Sequence, residues 1–313
     1  MTRNAEALSG STGVVTGASG FIGRAVLKAL PAGCRVYAVY NSSPDFVEWA
    51  SLPRADVVPV RVDLAHERLA DYVAEVDWAL LMAARVQTAA SLADPVGELA
   101  AVGGVTANSI VDLDAKQVVH LSSGSVYETL DGMLAPERVL APRLPYSIAK
   151  LAAELLFASY VDAPYWTVRF FGAFGPGEPA FKLTRRLAET FAAGGTAFSI
   201  RGDGTNIIDP MYIDDAAADL LSIVATPGES RIADLTQGEG LTVREFVEVA
   251  YEQLHPSPET TPLAITYAGE AHEKMLGRAV TDPAFSFGRR RTTIAEGFRR
   301  YAEMLGLRAA VRD

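Results

Sequence analysis

Three glycines spaced three apart, Gly17, Gly20 and Gly23 in VVTGASGFIGR (Val14–Arg24), constrain this chain more than any other feature. They follow a short apolar run and open a second one that reads as a helix through Leu30. The first glycine permits a sharp turn, the second lets backbone approach a bound group, and the third allows close helix packing. A helix starting in such a turn points free N–H groups outward, which suits a pyrophosphate. The expectation is a strand–turn–helix unit that cradles a dinucleotide, with Gly17, Ser19, Gly20, Phe21, Ile22, Gly23 and Arg24 around it.

Beyond the turn, strand-like and helix-like stretches alternate. Gly13–Thr16, Arg35–Tyr40, Val57–Val62, Trp78–Ala83, Gln117–Ser122, Tyr165–Phe171 and Ile232–Thr236 read as strands. Further helices are expected over Leu69–Val76, around Tyr146, over Phe181–Gly194 and over Asp214–Val224, whose acidic start suits the helix dipole. This order predicts an α/β fold, a doubly wound parallel (Rossmann) sheet with ligands at the carboxyl ends of its strands. After Gly175-Pro176-Gly177 the character changes, and from Thr242 onward the chain reads as helical with breaks at Pro256, Pro258 and Pro262. The expected division is a dinucleotide-binding domain of 1–175 plus 211–240, and a smaller C-terminal substrate lobe of 176–210 plus 241–313.

Composition narrows the partners. A net charge of −10 over 313 residues argues against nucleic acid or an anionic membrane surface, both of which demand a basic face. No apolar stretch approaches the ~20 residues that span a bilayer. Met1–Ser11 is polar, lacks the apolar core of a signal peptide and reads as a frayed leader. The single cysteine, Cys34, allows no intrachain disulfide, reads as a small buried hydrophobe and fits a cytoplasmic setting. Arg185-Arg186 and Arg289-Arg290-Arg291 read as solvated helix ends and turns. No metal site is expected.

The run LPYSIAKLAAE places Tyr146 and Lys150 four apart, on one helix face, where a phenol and an ammonium share a proton-transfer task. A free tyrosine titrates near ~10 and is a poor base at neutral pH, and the neighbouring ammonium favours its phenolate. Ser123 supplies a hydroxyl that can orient a reacting oxygen. With the glycine turn, this set points to hydride chemistry on an alcohol or ketone.

The spacing G-x-x-G-x-x-G after Thr-Gly resembles the extended branch of the short-chain dehydrogenase/reductase superfamily, the nucleotide-sugar-modifying NAD-dependent epimerase/dehydratase type, over almost the whole chain. Asp63-Leu64 matches the D-L at the adenine edge, and Leu80–Ala84 (LLMAA) stands at the strand end that lines the nicotinamide ribose with Met82, Ala83 and Ala84. Ser122–Tyr127 (SSGSVY), Tyr146–Lys150 (Y-x-x-x-K), Arg169–Gly177 (RFFGAFGPG) and Gly202–Asp215 (GDGTNIIDPMYIDD) match four further motifs in family order. The resemblance implies Ser123, Tyr146 and Lys150 as the catalytic triad, with Tyr146 and Lys150 also touching the cofactor. Members that use NAD usually carry an aspartate at the end of the second strand, whereas this chain has Asn41, Ser42 and Ser43, with Arg24 in reach. The expectation therefore leans to NADP, with NAD the alternative.

Dehydratases and decarboxylases of the family place a carboxylate just after the catalytic serine or threonine. Here Gly124 and Ser125 occupy those positions, which disfavours both reactions. Most relatives with these motifs act on nucleotide-diphosphate sugars, but Gly172 replaces the usual asparagine and Ile208 the usual diphosphate-binding arginine. Lys182, Arg201 or Arg278 are candidates to replace that arginine, and Arg85 and Ser125 are further candidate substrate contacts. The expected activity is an NAD(P)-dependent ketoreductase of a nucleotide-linked deoxysugar. A 4-epimerase with tightly bound NAD and a catalytically silent dinucleotide sensor are the alternatives. Relatives often dimerise through two helices, the Tyr146 helix among them, and Leu151, Leu155, Leu156 and Ala158 fit such a homodimer face and, equally well, core packing against the sheet.

Overall fold

Seven short runs rich in Val, Leu and aromatic residues form one sheet, in which every neighbouring pair is parallel. They are β1 (Thr12–Thr16), β2 (Arg35–Tyr40), β3 (Asp56–Arg61), β4 (Trp78–Leu81), β5 (Val118–Ser123), β6 (Tyr165–Phe170) and β7 (Arg231–Leu235), in the order β3-β2-β1-β4-β5-β6-β7. The computed structural model describes residues 6–51, 56–84, 88–271 and 275–306. The order reverses direction between β1 and β4, and at such a switch point the loops diverge and leave a crevice for a ligand.

Helices cover both faces, as a parallel sheet requires. On one side Val15, Leu80, Val119 and Val168 pack with Val26 and Leu27 of α1 (Phe21–Ala29) and with Leu220 and Leu221 of α5 (Ile213–Val224). Their neighbours Val14, Ala79 and Val118 face the other way, where Ile110 of α2 (Pro95–Ile110) and Phe157 of α3 (Pro145–Tyr160) meet them. Proline at the first position suits both α2 and α3, and the Asp94 side chain caps α2 by accepting from the Gly97 amide at 2.9 Å. A second core is largely aromatic. It joins Phe174 and Tyr212 to Phe191 of α4 (Leu183–Ala192), Phe246 of α6 (Val243–Leu254) and Phe298 of α7 (Ile294–Met304).

Several expectations need correction. Leu69–Val76 forms only a single 3₁₀ turn, Leu69–Asp71, because the Val76 amide and carbonyl pair with the 114–116 segment instead. The segment from Thr242 is not helical throughout: Ala264–Ala268 and Leu276–Arg278 are strands, paired with Ala197–Arg201 and Asp131–Met133. Within the supposed leader, Leu8 is buried in the core and Ser11 accepts a 2.9 Å hydrogen bond from the Trp78 indole. Arg289 and Arg291 are not solvated, since both pair with Asp219 of α5, at 2.7 and 2.8 Å. Cys34 is buried as expected, and desolvation pushes its thiol up to about 11.

Candidate functional site

The glycine turn lies at the β1–β4 switch point. Gly17 has φ +69°, and a Cβ there would stand 3.1 Å from the Ala83 α-carbon. A Cβ on Gly23 would fall 2.3 Å from the Gly17 carbonyl oxygen, so side chains are excluded where α1 crosses the turn. Thr16 fastens the two strand ends, its hydroxyl accepting from the amides of Met82 (2.9 Å) and Ala83 (3.1 Å). With Ser19, Phe21, Ile22 and Ala84 beside it, the result is a bare backbone cradle that fits a pyrophosphate at the start of α1.

The far end of this crevice is more polar than the sequence indicated. Asn41 donates to the Asp63 carboxylate at 3.3 Å, while Leu64 is buried below and its carbonyl accepts from Asn108. Arg24 donates to the Ser19 carbonyl (3.0 Å) and to the Ser43 hydroxyl (3.2 Å), and pairs with Asp45 at 2.8 Å. Its guanidinium also lies 4.7 Å from the Trp49 ring centre. Arg24 and Ser43 are thus brought together, next to exposed Ser42. Asp45 and Trp49 were not anticipated, and only Asp45's position just after the serine pair hinted at a role.

Ser123 ends β5 and caps the short turn Gly124–Tyr127, its hydroxyl accepting from the Ser125 amide at 3.2 Å. Glu128, the next residue on, accepts from the amides of Arg143 and Leu144, which ties this turn to the entry of α3. One helical turn separates half-buried Tyr146 from Lys150 on α3. Lys150 is 5% exposed and its ammonium donates to the Leu121 carbonyl at 2.8 Å, so it sits against β5 two residues before Ser123. Desolvation pulls Lys150 down to about 8, against the opposing pull of the Glu154 and Glu98 carboxylates. An ammonium held this way stabilises a nearby phenolate and can itself exchange a proton near neutrality.

A buried ionic network supports this end of β5. Arg169 on β6 pairs with Glu154 of α3 at 2.7 Å, both side chains being 2% exposed. Glu154 also accepts from the Ser122 hydroxyl at 2.5 Å. Arg169 donates to the Tyr127 hydroxyl at 2.9 Å, and Tyr127 donates to Asp234 on β7 at 3.0 Å. Burial pushes Asp234 up to about 7. The network reaches across β5, β6, β7 and α3, so no local spacing announces it.

The expected substrate residues are scattered. Gly172 turns the chain with φ +102° after β6, and Ile208 sits in the two-residue strand Ile207–Ile208, paired with Leu241–Thr242. Lys182 precedes α4, while Arg201 and Arg278 are exposed on two different two-stranded sheets, Arg278 donating to the Gly240 carbonyl at 2.9 Å. Ser125 is half-buried beside Ser123, and Arg85 lies outside the described residues. Asp209, next to Ile208, organises this side: its carboxylate accepts from the amides of Gly238, Glu239 and Gly240 at 2.9–3.0 Å. Among the described residues no cluster of three or more His, Cys, Asp or Glu is placed to hold a metal.

Residues 14–233 match the model of the NAD dependent epimerase/dehydratase family. The chain belongs to that family. Its members are NAD(P)-dependent enzymes that modify nucleotide sugars, a group that spans epimerases, dehydratases and reductases. This member is 27% identical over 301 residues to the low-salt glycan biosynthesis protein Agl12 of Haloferax volcanii, covering 88% of this chain and 94% of that one. It is 26% identical over 251 residues to the GDP-6-deoxy-D-mannose reductase of Pseudomonas aeruginosa, covering 75% and 77%. In fold it resembles MoeE5 in complex with UDP-glucose and NAD (TM-score 0.78, 23% identity, 94% and 98% covered). It also resembles RMD from Pseudomonas aeruginosa complexed with NADPH (TM-score 0.70, 19% identity, 94% and 98% covered). No helix among the described residues is long and apolar enough to cross a membrane.

Proposed function

We propose that this family member is a cytoplasmic ketoreductase that acts on a nucleotide-linked deoxysugar, with Ser123, Tyr146 and Lys150 as its catalytic residues. The observation that carries the reading is the buried Lys150 ammonium, pinned to the end of β5 beside Ser123 and one helical turn from Tyr146. The cofactor, when bound, supplies the hydride. Gly17, Ser19, Gly20, Phe21, Ile22, Gly23 and Arg24 hold its pyrophosphate end. Met82, Ala83 and Ala84 line its other end. Ser123 orients the sugar carbonyl, Tyr146 gives its phenolic proton to that oxygen, and Lys150 stabilises the phenolate left behind.

Arg24 and the neutral Asn41 support NADP, whereas the Asp45 carboxylate on Arg24 competes with a 2′-phosphate. The absence of a carboxylate at Gly124 and Ser125 supports reduction over dehydration. The substrate side is assigned to the lobe of 176–210 and 241–313, with Lys182, Arg201, Arg278, Ser125, Gly172 and Ile208 as candidate contacts. Exposed Leu155 on α3 and Leu99 on α2 support a homodimer through these two helices.

The test is Tyr146→Phe, assayed with NADPH and a nucleotide-linked 4-keto-6-deoxysugar. Turnover falls by about 10²–10⁴-fold while NADPH binding, followed by fluorescence, stays near wild type. A variant that keeps full turnover overturns the assignment. The 4-epimerase reading is favoured by the fold likeness to a UDP-N-acetylglucosamine 4-epimerase (TM-score 0.79). Stoichiometric NAD released from the freshly denatured protein would support it over the reductase.

A further inference from the structure

Beside Lys150, below the strand ends Thr16 and Ala83 that flank the glycine turn, lies a small cavity of about 10 Å³. Its polar lining is Thr16 from β1, Thr106 and Ser109 from α2, His120 from β5 and Lys150 from α3. That is room for about one water, and a water is stable in a protein interior when it finds two to four polar partners. His120 is 5% exposed, its ring stacks on Phe157 at 4.9 Å, and its Nδ1 is buried with no hydrogen-bond partner. A buried polar atom left unpaired costs on the order of 1–3 kcal/mol, and His120 is one of the residues that line this water-sized cavity.

We propose that one buried water occupies this cavity, accepting from the Lys150 ammonium and donating to His120 Nδ1, so that His120 is a positioning residue for Lys150. The hydrogen bonds balance around the water. Thr16 Oγ1 already accepts from the Met82 and Ala83 amides, so its proton is available to the water. Thr106 and Ser109 donate to the carbonyls of Val102 (2.8 Å) and Val105 (2.6 Å) on their own helix, which leaves their oxygens as acceptors for its second proton. His120 must be neutral to accept, and burial together with the Lys150 charge holds its pKa well below the ordinary imidazole value. Glu154 on its own helix and Glu98 on α2 favour the ammonium, and Leu121 supplies one carbonyl. The water adds a second neutral acceptor, which favours the charged form in the same direction.

The proposal deepens the ketoreductase reading, since it rests on Lys150 acting beside Tyr146, but its test needs no substrate. The protein is labelled with ¹³Cε-lysine, the Lys150 resonance is assigned by its loss in Lys150→Met, and its shift is titrated. In the wild type burial holds the midpoint below that of an ordinary lysine. Loss of the acceptor in His120→Phe lowers that midpoint by about one unit, a tenfold loss in proton affinity, while His120→Asn, which keeps an acceptor but not the stacked ring, stays within about 0.3 units of wild type. Diffraction from the wild-type protein shows a solvent peak within hydrogen-bond reach of Lys150 Nζ, His120 Nδ1 and Thr16 Oγ1. An unshifted midpoint in His120→Phe, an equal drop in His120→Asn, or no solvent peak there overturns the proposal. The diffraction result stands whether or not the His120 variants fold. Failure of the underlying reading shows up separately, as turnover retained by Tyr146→Phe.

Discussion

Arg169→Met tests whether the ionic network beneath β5 is as tightly coupled as its geometry indicates. Arg169 and Glu154 are each 2% exposed and 2.7 Å apart, so removing the guanidinium leaves a carboxylate inside the protein with, among the described residues, the Ser122 hydroxyl at 2.5 Å as its one remaining donor. Breaking a buried pair from one side costs about 3–5 kcal/mol, because the surviving charge stays desolvated. For 313 residues the unfolding entropy near 60 °C is about 0.66 kcal/mol/K, so this loss corresponds to a Tm lowered by roughly 5–8 °C. Differential scanning calorimetry at pH 8 measures it. The double variant Arg169→Met/Glu154→Leu recovers most of the loss, since an apolar pair of similar volume often replaces a buried ion pair at little cost. A single-variant Tm within about 1 °C of wild type, or a double variant no better than the single, would refute the reasoning.

Two further outcomes address the crevice and the surface. Asp45→Asn removes the carboxylate from Arg24 while preserving a hydrogen-bonding side chain, and raises the affinity for NADPH relative to NADH by about tenfold, worth ~1.4 kcal/mol. Parallel fluorescence titrations with the two cofactors read this ratio, and an unchanged ratio removes Arg24 from the 2′-position. Leu155 is 65% exposed on α3, and Leu155→Glu shifts the sedimentation coefficient from dimer to monomer with the far-ultraviolet circular dichroism unchanged. A wild-type protein that sediments as a monomer at micromolar concentration rejects the homodimer.

The sheet was legible in the sequence because parallel strands covered on both faces are short, continuous apolar runs. Val14 and Val15 show why: consecutive residues enter two different cores, so neither position tolerates a polar side chain. Tyr146 and Lys150 were legible because their relation is local, four residues along one helix. The Leu69–Val76 segment deceived for the opposite reason. Its buried residues Leu69, Val73 and Val76 follow a helical spacing, but the bridge from Val76 to Ala115, nearly forty residues on, takes the backbone that a helix would use. The same limit hid the supporting groups. Tyr127 meets Asp234 across 107 positions and Thr16 meets Met82 across 66, and no residue-type pattern encodes a meeting at that range. The C-terminal strand Ala264–Ala268 was missed because it is largely exposed, so it lacks the alternation that marks a half-buried strand.

The position of β7 has a consequence for how the chain comes off the ribosome. Between the end of β6 at Phe170 and the start of β7 at Arg231, the polypeptide builds α4, four short strands outside the sheet and α5 before it returns to pair in register with Trp166–Phe170. Until that return, β6 is an edge strand with one row of unpaired amides and carbonyls, and the apolar surface around Trp166 and Val168 lacks Ala233 and Leu235. A nascent chain halted near residue 225 therefore carries an adhesive edge, which closes only when the final sheet strand arrives and brings Asp234 to Tyr127.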